Sequence, residues 1–181
     1  MITCVIAVYL NRFFYIFYHL YTLNLNTNKW TKLSTIGDIP SAREEVPTAV
    51  LWRDSMILFG SDVENGDDTN VYVLDLHLYH KWSKWHCTGS AVSARSAHGA
   101  VVHNDDMYIM GGSYDDSDSI MALDLNTRNW RSVSIANDGW PCRKRFTPLV
   151  YQGDLVVYGG RIAWTQITAP HMKLLNTNFV H

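Results

Sequence analysis

Two short sequence strips recur along this chain of 181 residues, at a spacing of about fifty residues. The first strip ends on a tryptophan, and its three copies read LNLNTNKW, LDLHLYHKW and LDLNTRNW. Its tryptophans, Trp30, Trp82 and Trp130, lie 52 and 48 residues apart. A period of this length is typical of chains built from repeated supersecondary units, so it constrains the fold more than any single motif does.

The second strip lies between the tryptophans. It consists of an arginine, a short apolar run, a polar turn, a second apolar run and a closing glycine. The arginines are Arg43, Arg95 and Arg143, and the closing glycines are Gly60, Gly111, Gly112, Gly159 and Gly160. The distance from the arginine to the first glycine is 17, 16 and 16 residues. Both strips keep one order in every copy, which indicates one structural unit per copy.

The apolar runs of each unit predict short β-strands. They are rich in Val, Ile, Leu and Tyr and are bounded by Asp, Asn and Gly. Polar turns such as Asn104-Asp105-Asp106 and Gly153-Asp154 separate the runs as hairpin connections do, because these residue types tolerate positive φ. Each unit is therefore predicted to be a four-stranded antiparallel meander, with Trp82 and Trp130 in the gaps between units.

An arginine-led strand, a strand ending in Gly-Gly, a Leu-Asp strand and a spaced tryptophan together resemble the kelch repeat. The resemblance covers about residues 20–181, as a partial unit at 20–33 and units at about 40–85, 92–133 and 140–181. The first full unit departs from the pattern with Gly60-Ser61, and the last has Phe179 where a tryptophan is expected. The resemblance implies an all-β fold: a partial kelch-type β-propeller of about three four-stranded antiparallel blades plus a partial leading blade.

Three full units are fewer than a closed ring needs. Propellers have typically four to eight blades, and an open arc exposes apolar blade faces and strand edges. We therefore expect a fragment of a longer protein, an incomplete gene model, or one part of an oligomeric ring. As an isolated chain, such an arc is expected to self-associate.

The N-terminal segment, residues 1–19, is apolar and departs from the repeat. Extended to residue 23 it is long enough to cross a bilayer, but Asn11, Arg12 and His19 interrupt it. A mid-span arginine costs roughly 2.5 to 3.5 kcal/mol, and the segment lacks the basic start and cleavage site of a signal peptide. The sequence leaves open a degraded first blade, a wrongly joined exon, or a signal or membrane segment.

Composition narrows the classes of partner and compartment. The net charge is −2, so a nucleic-acid-binding surface is not indicated. The cysteines, Cys4, Cys87 and Cys142, are isolated, and no Asn-x-Ser/Thr acceptor occurs. Both features fit a reducing compartment and predict a cytoplasmic protein.

No grouping of residues predicts a catalytic or metal site. A copper site like that of galactose oxidase needs converging His and Tyr ligands, and nothing in the sequence marks one. Iron-binding specifier proteins resemble kelch chains with Glu, Asp and His at four-residue steps; Glu64 and Asp68 have that step here, but Tyr72 replaces the His. His86 and Cys87 lack zinc-type spacing. We expect no cofactor and no enzymatic activity, and a metal-dependent propeller enzyme is the less favoured alternative.

Two acidic loops are candidate partner-binding elements. One opens with Tyr114, Asp115 and Asp116, and the equivalent loop one unit earlier carries Asp62, Glu64, Asp67 and Asp68. The first loop lacks the glycine and distal glutamate of a calcium loop. The loops are interpreted either as solvated segments or as a negative patch that contacts a partner.

The recurring arginines, Arg43, Arg95 and Arg143, also have two interpretations. They could line a surface that grips an acidic peptide through bidentate contacts. Their recurrence in every unit favours a repeated structural bond instead, because a binding site needs only one of each residue.

The sequence therefore predicts a non-catalytic protein–protein interaction scaffold that holds a protein partner on propeller loops. The resemblance implies roles such as substrate adaptor, cytoskeletal scaffold or signalling scaffold. A membrane-anchored or secreted kelch module is the alternative, and it depends on residues 2–23.

Overall fold

The protein is built from β-strands. The computed structural model describes residues 3–12, 15–40, 47–60, 69–112, 120–134, 143–162 and 173–175, and all regular structure in these ranges is strand. The long strands pair antiparallel with their neighbours in sequence, because each apolar run is followed by a tight turn that folds the chain back. The predicted all-β, kelch-type architecture of a partial propeller is confirmed.

The first sheet contains the apolar N-terminal segment. Its strands are β1 (Thr3–Arg12), β2 (Tyr15–Asn24) and β3 (Lys29–Leu33), paired antiparallel in that order. Arg12 pairs with Tyr15 in the first hairpin, and Leu23 pairs with Trp30 in the second. Within the described ranges, no helix is long and apolar enough to cross a membrane.

The second and third sheets are two copies of one design. The second contains β4 (Ile36–Gly37), β5 (Thr48–Trp52), β6 (Ser55–Phe59), β7 (Val71–Asp75) and β8 (Lys81–Trp85). The third contains β9 (Thr88–Gly89), β10 (Gly99–His103), β11 (Asp106–Met110), β12 (Ile120–Asp124) and β13 (Asn129–Val133). In each sheet the four long strands form the predicted antiparallel meander.

A short parallel strand is added to each meander, and the sequence pattern did not predict it. β4 pairs with β8, and β9 pairs with β13. Both short strands belong to the linker that leaves the outer strand of the preceding sheet. The linker thus fastens one sheet to the next through backbone hydrogen bonds, such as Ile36 N–H to His80 O at 3.2 Å and Thr88 N–H to Arg128 O at 3.0 Å.

The last unit begins with β14 (Arg143–Lys144), which pairs with β17 (Arg161–Ile162). Its main sheet contains β15 (Thr147–Tyr151), β16 (Asp154–Tyr158) and β18 (Lys173–Leu175). The leading strands of successive units, β5, β10 and β15, contact one another. The sheets therefore stack side by side along one row of strands.

Alternating residues place one hydrophobic cluster in each gap between sheets. The gap between the first and second sheets is filled by Leu20, Met56, Leu58, Tyr72, Leu74 and Trp82. The next gap is filled by residues that include Ile57, Phe59, Val73, Ile109, Leu123 and Trp130. The third gap is filled by Tyr108, Met110, Ile120, Ala122, Phe146, Leu155 and Val157. Successive residues of β6 belong to opposite clusters because side chains alternate along a strand.

The three repeat tryptophans differ in burial. Trp82 is 3% exposed and Trp130 is 5% exposed, and each packs against the sheet that precedes its own. The ring centroid of Trp130 lies 5.4 Å from that of Phe59 in the second sheet. Trp30 belongs to the first sheet and is 47% exposed. The repeat tryptophan therefore joins neighbouring sheets.

Candidate functional site

Two of the three repeat arginines lie inside the protein. Arg95 is 1% exposed and Arg143 is 5% exposed. Arg95 donates from Nη2 to Ser93 Oγ at 3.0 Å, and Arg143 donates from Nη1 to the carbonyl oxygen of Gly159 at 3.3 Å. Both side chains thus bond within their own unit. This placement fits a structural bond better than a surface that grips a peptide. Arg43 lies outside the described residues.

The closing glycines permit close contacts, between units at Gly111 and Gly112 and within one unit at Gly60 and Gly160. Gly112 donates its N–H to the carbonyl oxygen of Arg143 at 2.8 Å. Gly111 has a φ of +63°, and a Cβ there would overlap the same carbonyl group and lie 2.9 Å from Phe146. A Cβ on Gly60 would lie 2.8 Å from Pro47. Gly160 lies against Phe146, whereas Gly159 has open space around it.

A buried histidine connects the second and third sheets. The Nε2 atom of His98 lies 2.6 Å from Thr48 Oγ1, and the imidazole packs edge-on against Phe59. Burial, with a further contribution from the positive charge of Arg95, lowers the pKa of His98 to about 3. The imidazole is therefore neutral at physiological pH and serves the packing between sheets.

The two acidic loops lie outside the described residues, so Tyr114, Asp115, Asp116, Glu64 and Asp68 have no structural account. Among the residues that are described, no group of three or more His, Cys, Asp or Glu side chains is placed to hold a metal ion. Burial raises the pKa of the Cys87 thiol to about 11, and Arg128 opposes this only in part. That thiol is protonated at neutral pH and is a weak nucleophile.

A group of aromatic and charged side chains joins the second and third sheets at the surface. It consists of Trp52, Arg53 and Trp85 from the second sheet, and Asp105, Asn126 and Arg128 from the third; we call it the bridging cluster. The indole Nε1 of Trp52 donates to Asp105 Oδ1 at 2.6 Å. Arg53 donates from Nη2 to Asp105 Oδ2 at 3.3 Å and to Asn126 Oδ1 at 3.0 Å.

Stacking completes the bridging cluster. The guanidinium of Arg53 lies 4.4 Å from the ring centroid of Trp52, and that of Arg128 lies 4.6 Å from the ring centroid of Trp85. The two indoles meet edge to face at 6.1 Å. These contacts hold both guanidinium groups in place at the surface through cation–π attraction.

The electrostatics of the two arginines differ. The hydrogen bond from Trp52 is the main cause that lowers the pKa of Asp105, and Arg53 adds to it. Arg53 is thus neutralised by a carboxylate. No carboxylate of a described residue contacts the guanidinium of Arg128, whose side chain is exposed. Trp85 therefore holds the guanidinium of Arg128 in place at the surface.

Sequence reasoning missed the bridging cluster. Its residues come from four separate turns and strand ends, up to 76 positions apart between Trp52 and Arg128, and none belongs to the closing-glycine or tryptophan positions of the repeat. The sequence did contain one signal. Arg53 lies in a turn where the third and last units carry other residues, and Arg128 lies in a turn where the leading unit carries another residue. A repeat position that changes between units is a candidate for function rather than architecture.

Comparison with known proteins identifies the family of this chain. The profile of the KLHDC2/KLHL20/DRC7 Kelch-repeats domain matches residues 15–160. The chain belongs to the kelch-repeat family. The match includes the second and third sheets and all six residues of the bridging cluster.

Several curated proteins are similar to this kelch chain. Kelch domain-containing protein 3 of Bos taurus is 32% identical over 150 residues, which cover 74% of this chain and 38% of that protein. Tip elongation aberrant protein 1 of Schizosaccharomyces pombe is 28% identical over 152 residues, covering 78% of this chain and 13% of the relative. Kelch domain-containing protein 10 of Xenopus laevis is 26% identical over 173 residues, covering 89% and 41%. This chain spans less than half the length of each.

Membership in the family has a functional consequence. Kelch repeats are in general a non-enzymatic fold that binds protein partners. At this level the expectation of a protein-interaction module is confirmed.

Proposed function

We propose that this kelch chain is a non-catalytic scaffold that holds a protein partner on its inter-strand turns, as a substrate adaptor or a signalling or cytoskeletal scaffold does. The observation that carries the proposal is the bridging cluster. Tryptophan and arginine are the residue types that most often dominate the energy of protein interfaces, and here two of each are held at the surface by mutual stacking.

The bridging cluster is suited to recognising a partner with an acidic contact residue. Arg128 is fixed over Trp85, so little side-chain entropy is lost when its guanidinium binds a carboxylate. Trp52 and Trp85 are half-buried and supply apolar area beside it. Arg53 donates from Nη2 to both Asp105 and Asn126 and stacks on Trp52, and these contacts hold its side chain in place.

The test is affinity capture from a lysate of the source organism with purified wild-type chain and two variants. In the first variant, Arg53→Glu and Arg128→Glu reverse both charges of the bridging cluster. In the control, Arg145→Glu reverses an exposed arginine of the last unit. We expect the wild type and the control to capture the same protein, and the double variant to lose it. Equal capture by all three chains would contradict the proposal.

A further inference from the structure

The strands that carry the repeat tryptophans, β3, β8 and β13, form the outer strands of the first three sheets. In the second and third sheets the outer edge of this strand is covered, by β4 on β8 and by β9 on β13. We call β4 and β9 the covering strands. None of the strands that the structure describes covers the outer edge of β3. An uncovered edge presents backbone N–H and C=O groups that can pair with another extended segment.

The turn before β3 has the same backbone as the turns before the covered strands. Each turn ends on a residue with positive φ: Asn28 at 52°, His80 at 48° and Arg128 at 61°. The side-chain oxygen of Asn24 accepts two N–H groups of its turn at 3.0 and 3.1 Å, as that of Asp124 does at 2.8 Å in the third sheet. β3 therefore presents the same backbone groups at its outer edge as β8 and β13 do.

The covering strands show how this edge is bound. Each has two N–H donors, two positions apart, that bond to two carbonyl oxygens of the outer strand and the turn before it. The four bonds run from Ile36 to His80 at 3.2 Å, from Asp38 to Trp82 at 3.1 Å, from Thr88 to Arg128 at 3.0 Å and from Ser90 to Trp130 at 2.8 Å. The corresponding acceptors on the uncovered edge are the carbonyl oxygens of Asn28 and Trp30.

A glycine lies between the two donors in both covering strands. A Cβ on Gly37 would overlap the carbonyl oxygen of Trp82, and a Cβ on Gly89 would overlap that of Trp130. A side chain at this position would therefore push the covering strand away from the edge. The residue before the glycine is β-branched in both, which favours extended backbone. A segment that covers β3 is expected to share both features.

The side chains of β3 match those of β8 rather than those of β13. The residues on either side of the tryptophan position are Lys29 and Lys32 in β3, Lys81 and Lys84 in β8, and Asn129 and Ser132 in β13. The residue after the covering glycine also differs: it is Asp38 beside β8 and Ser90 beside β13. The Oδ2 atom of Asp38 accepts from the N–H of Lys84 at 3.2 Å. A segment that covers β3 is therefore expected to have an acidic residue after its glycine.

The first sheet supplies no carboxylate of its own. No Asp or Glu precedes Asp38 in the sequence, and Asp38 bonds to the backbone of β8. The side chains of Lys29 and Lys32 are exposed. Lysines on an exposed edge often serve to block strand pairing. Here β8 has lysines at the same two positions and is nevertheless covered, so these lysines are compatible with pairing.

We propose that the outer edge of β3 binds an extended segment of a partner protein, parallel to β3, that has a β-branched residue, a glycine and an acidic residue in succession. The glycine faces Trp30, the N–H groups on either side of it donate to Asn28 and Trp30, and the carboxylate lies beside Lys32. Pairing of two β3 edges from two copies of this chain would bring four lysines together, which argues against a second copy as the occupant. This edge shares no residue with the bridging cluster and does not depend on its proposed role.

Fluorescence anisotropy of labelled peptides with the full chain tests the proposal. The probe is fluorescein-labelled Ser-Thr-Ile-Gly-Asp-Ile-Pro, which copies residues 34–40 and so contains the strand that covers β8. We expect this peptide to bind. A peptide with alanine in place of the glycine should bind about tenfold more weakly or worse, because its Cβ overlaps the edge. A peptide with lysine in place of the aspartate should bind about fivefold more weakly, with a smaller difference at higher salt.

Two chain variants locate the bound peptide. Lys29→Glu with Lys32→Glu should weaken binding of the probe about fivefold. Lys81→Glu with Lys84→Glu is the matched control at an edge that β4 already covers, and it should bind the probe as the wild type does. All four lysines are exposed, and circular dichroism checks that both variants are folded. No binding of the probe, equal binding of the alanine peptide, or equal affinity of the two chain variants would overturn the proposal.

Discussion

Several single residues of this chain stabilise its packing in ways that the repeat pattern alone does not show. Arg95 and Arg143 each bond within their own unit, and Gly111 lets Arg143 and Phe146 of the next unit approach closely. His98 occurs once in the described units, yet it has the most perturbed environment of the described histidines. Its burial makes folding sensitive to pH.

His98 predicts a loss of stability in mild acid. The folded-state pKa is about 3 and the ordinary value is 6.5, so below pH 6.5 the unfolded chain binds a proton that the folded chain does not. Stability is therefore complete above pH 6.5 and declines as the pH falls toward 3. Between pH 6.5 and 5 the decline is about 2 kcal/mol. Urea unfolding at several pH values measures it, and His98→Gln should flatten the dependence in that range. An equally steep decline in His98→Gln would contradict the assignment.

A comparison of Gly111 with Gly159 tests how much the close packing between units contributes to stability. Both have positive φ, +63° and +75°, but a Cβ at Gly111 would collide with Arg143 and Phe146, whereas one at Gly159 would meet open space. Gly159→Ala should lower the free energy of unfolding by about 1 kcal/mol from backbone strain alone. Gly111→Ala should lower it by about 3 kcal/mol or more, because overpacking is added. Chemical denaturation compares them, and equal losses would mean that the close approach is not stabilising.

At the scale of elements, the tryptophan of the outer strand packs between neighbouring sheets. Trp130→Ala would open a cavity against Phe59 and should cost about 3–5 kcal/mol. Trp30→Ala, at the same repeat position but 47% exposed, should cost about 1 kcal/mol or less. Thermal or urea unfolding of both variants provides the comparison. Equal costs would show that packing on the preceding sheet is not what makes this residue important.

The sequence predicted the elements that carry an apolar signal and missed those that do not. The long strands β5 to β8 and β10 to β13 follow from their apolar runs and turn residues, and the structure has them as meanders. The two-residue strands β4 and β9 have no such signal, because Ile36-Gly37 and Thr88-Gly89 are placed only by hydrogen bonds to the next sheet. The bridging cluster was missed for the same reason, since it is assembled from residues of neighbouring units.

At the scale of the whole molecule, stacking of sheets explains which apolar faces are covered. The face of the second sheet that contains Phe59 is covered by the third, and the corresponding face of the third is covered by the last unit. In the last unit that face carries Leu149, Tyr151 and Tyr158, which are 45%, 59% and 63% exposed. They lie on one side of the sheet according to its register.

This exposed face predicts self-association of the isolated chain. We expect a sedimentation coefficient that rises with protein concentration, because burial of apolar area drives association. Tyr151→Lys with Tyr158→Lys should shift the chain toward the monomer. Tyr79→Lys is the control, since Tyr79 is 70% exposed but lies in a turn of the second sheet. A wild-type chain that is monomeric at every concentration would contradict the prediction.

The central proposal is that this kelch chain holds a protein partner through the bridging cluster. Amide hydrogen–deuterium exchange of the captured complex, compared with the free chain, tests it most directly. The account predicts slower exchange on binding in residues 52–54, 104–105 and 126–128, with little change in the last unit. Protection confined to other parts of the chain, or no protection at the bridging cluster, would contradict it.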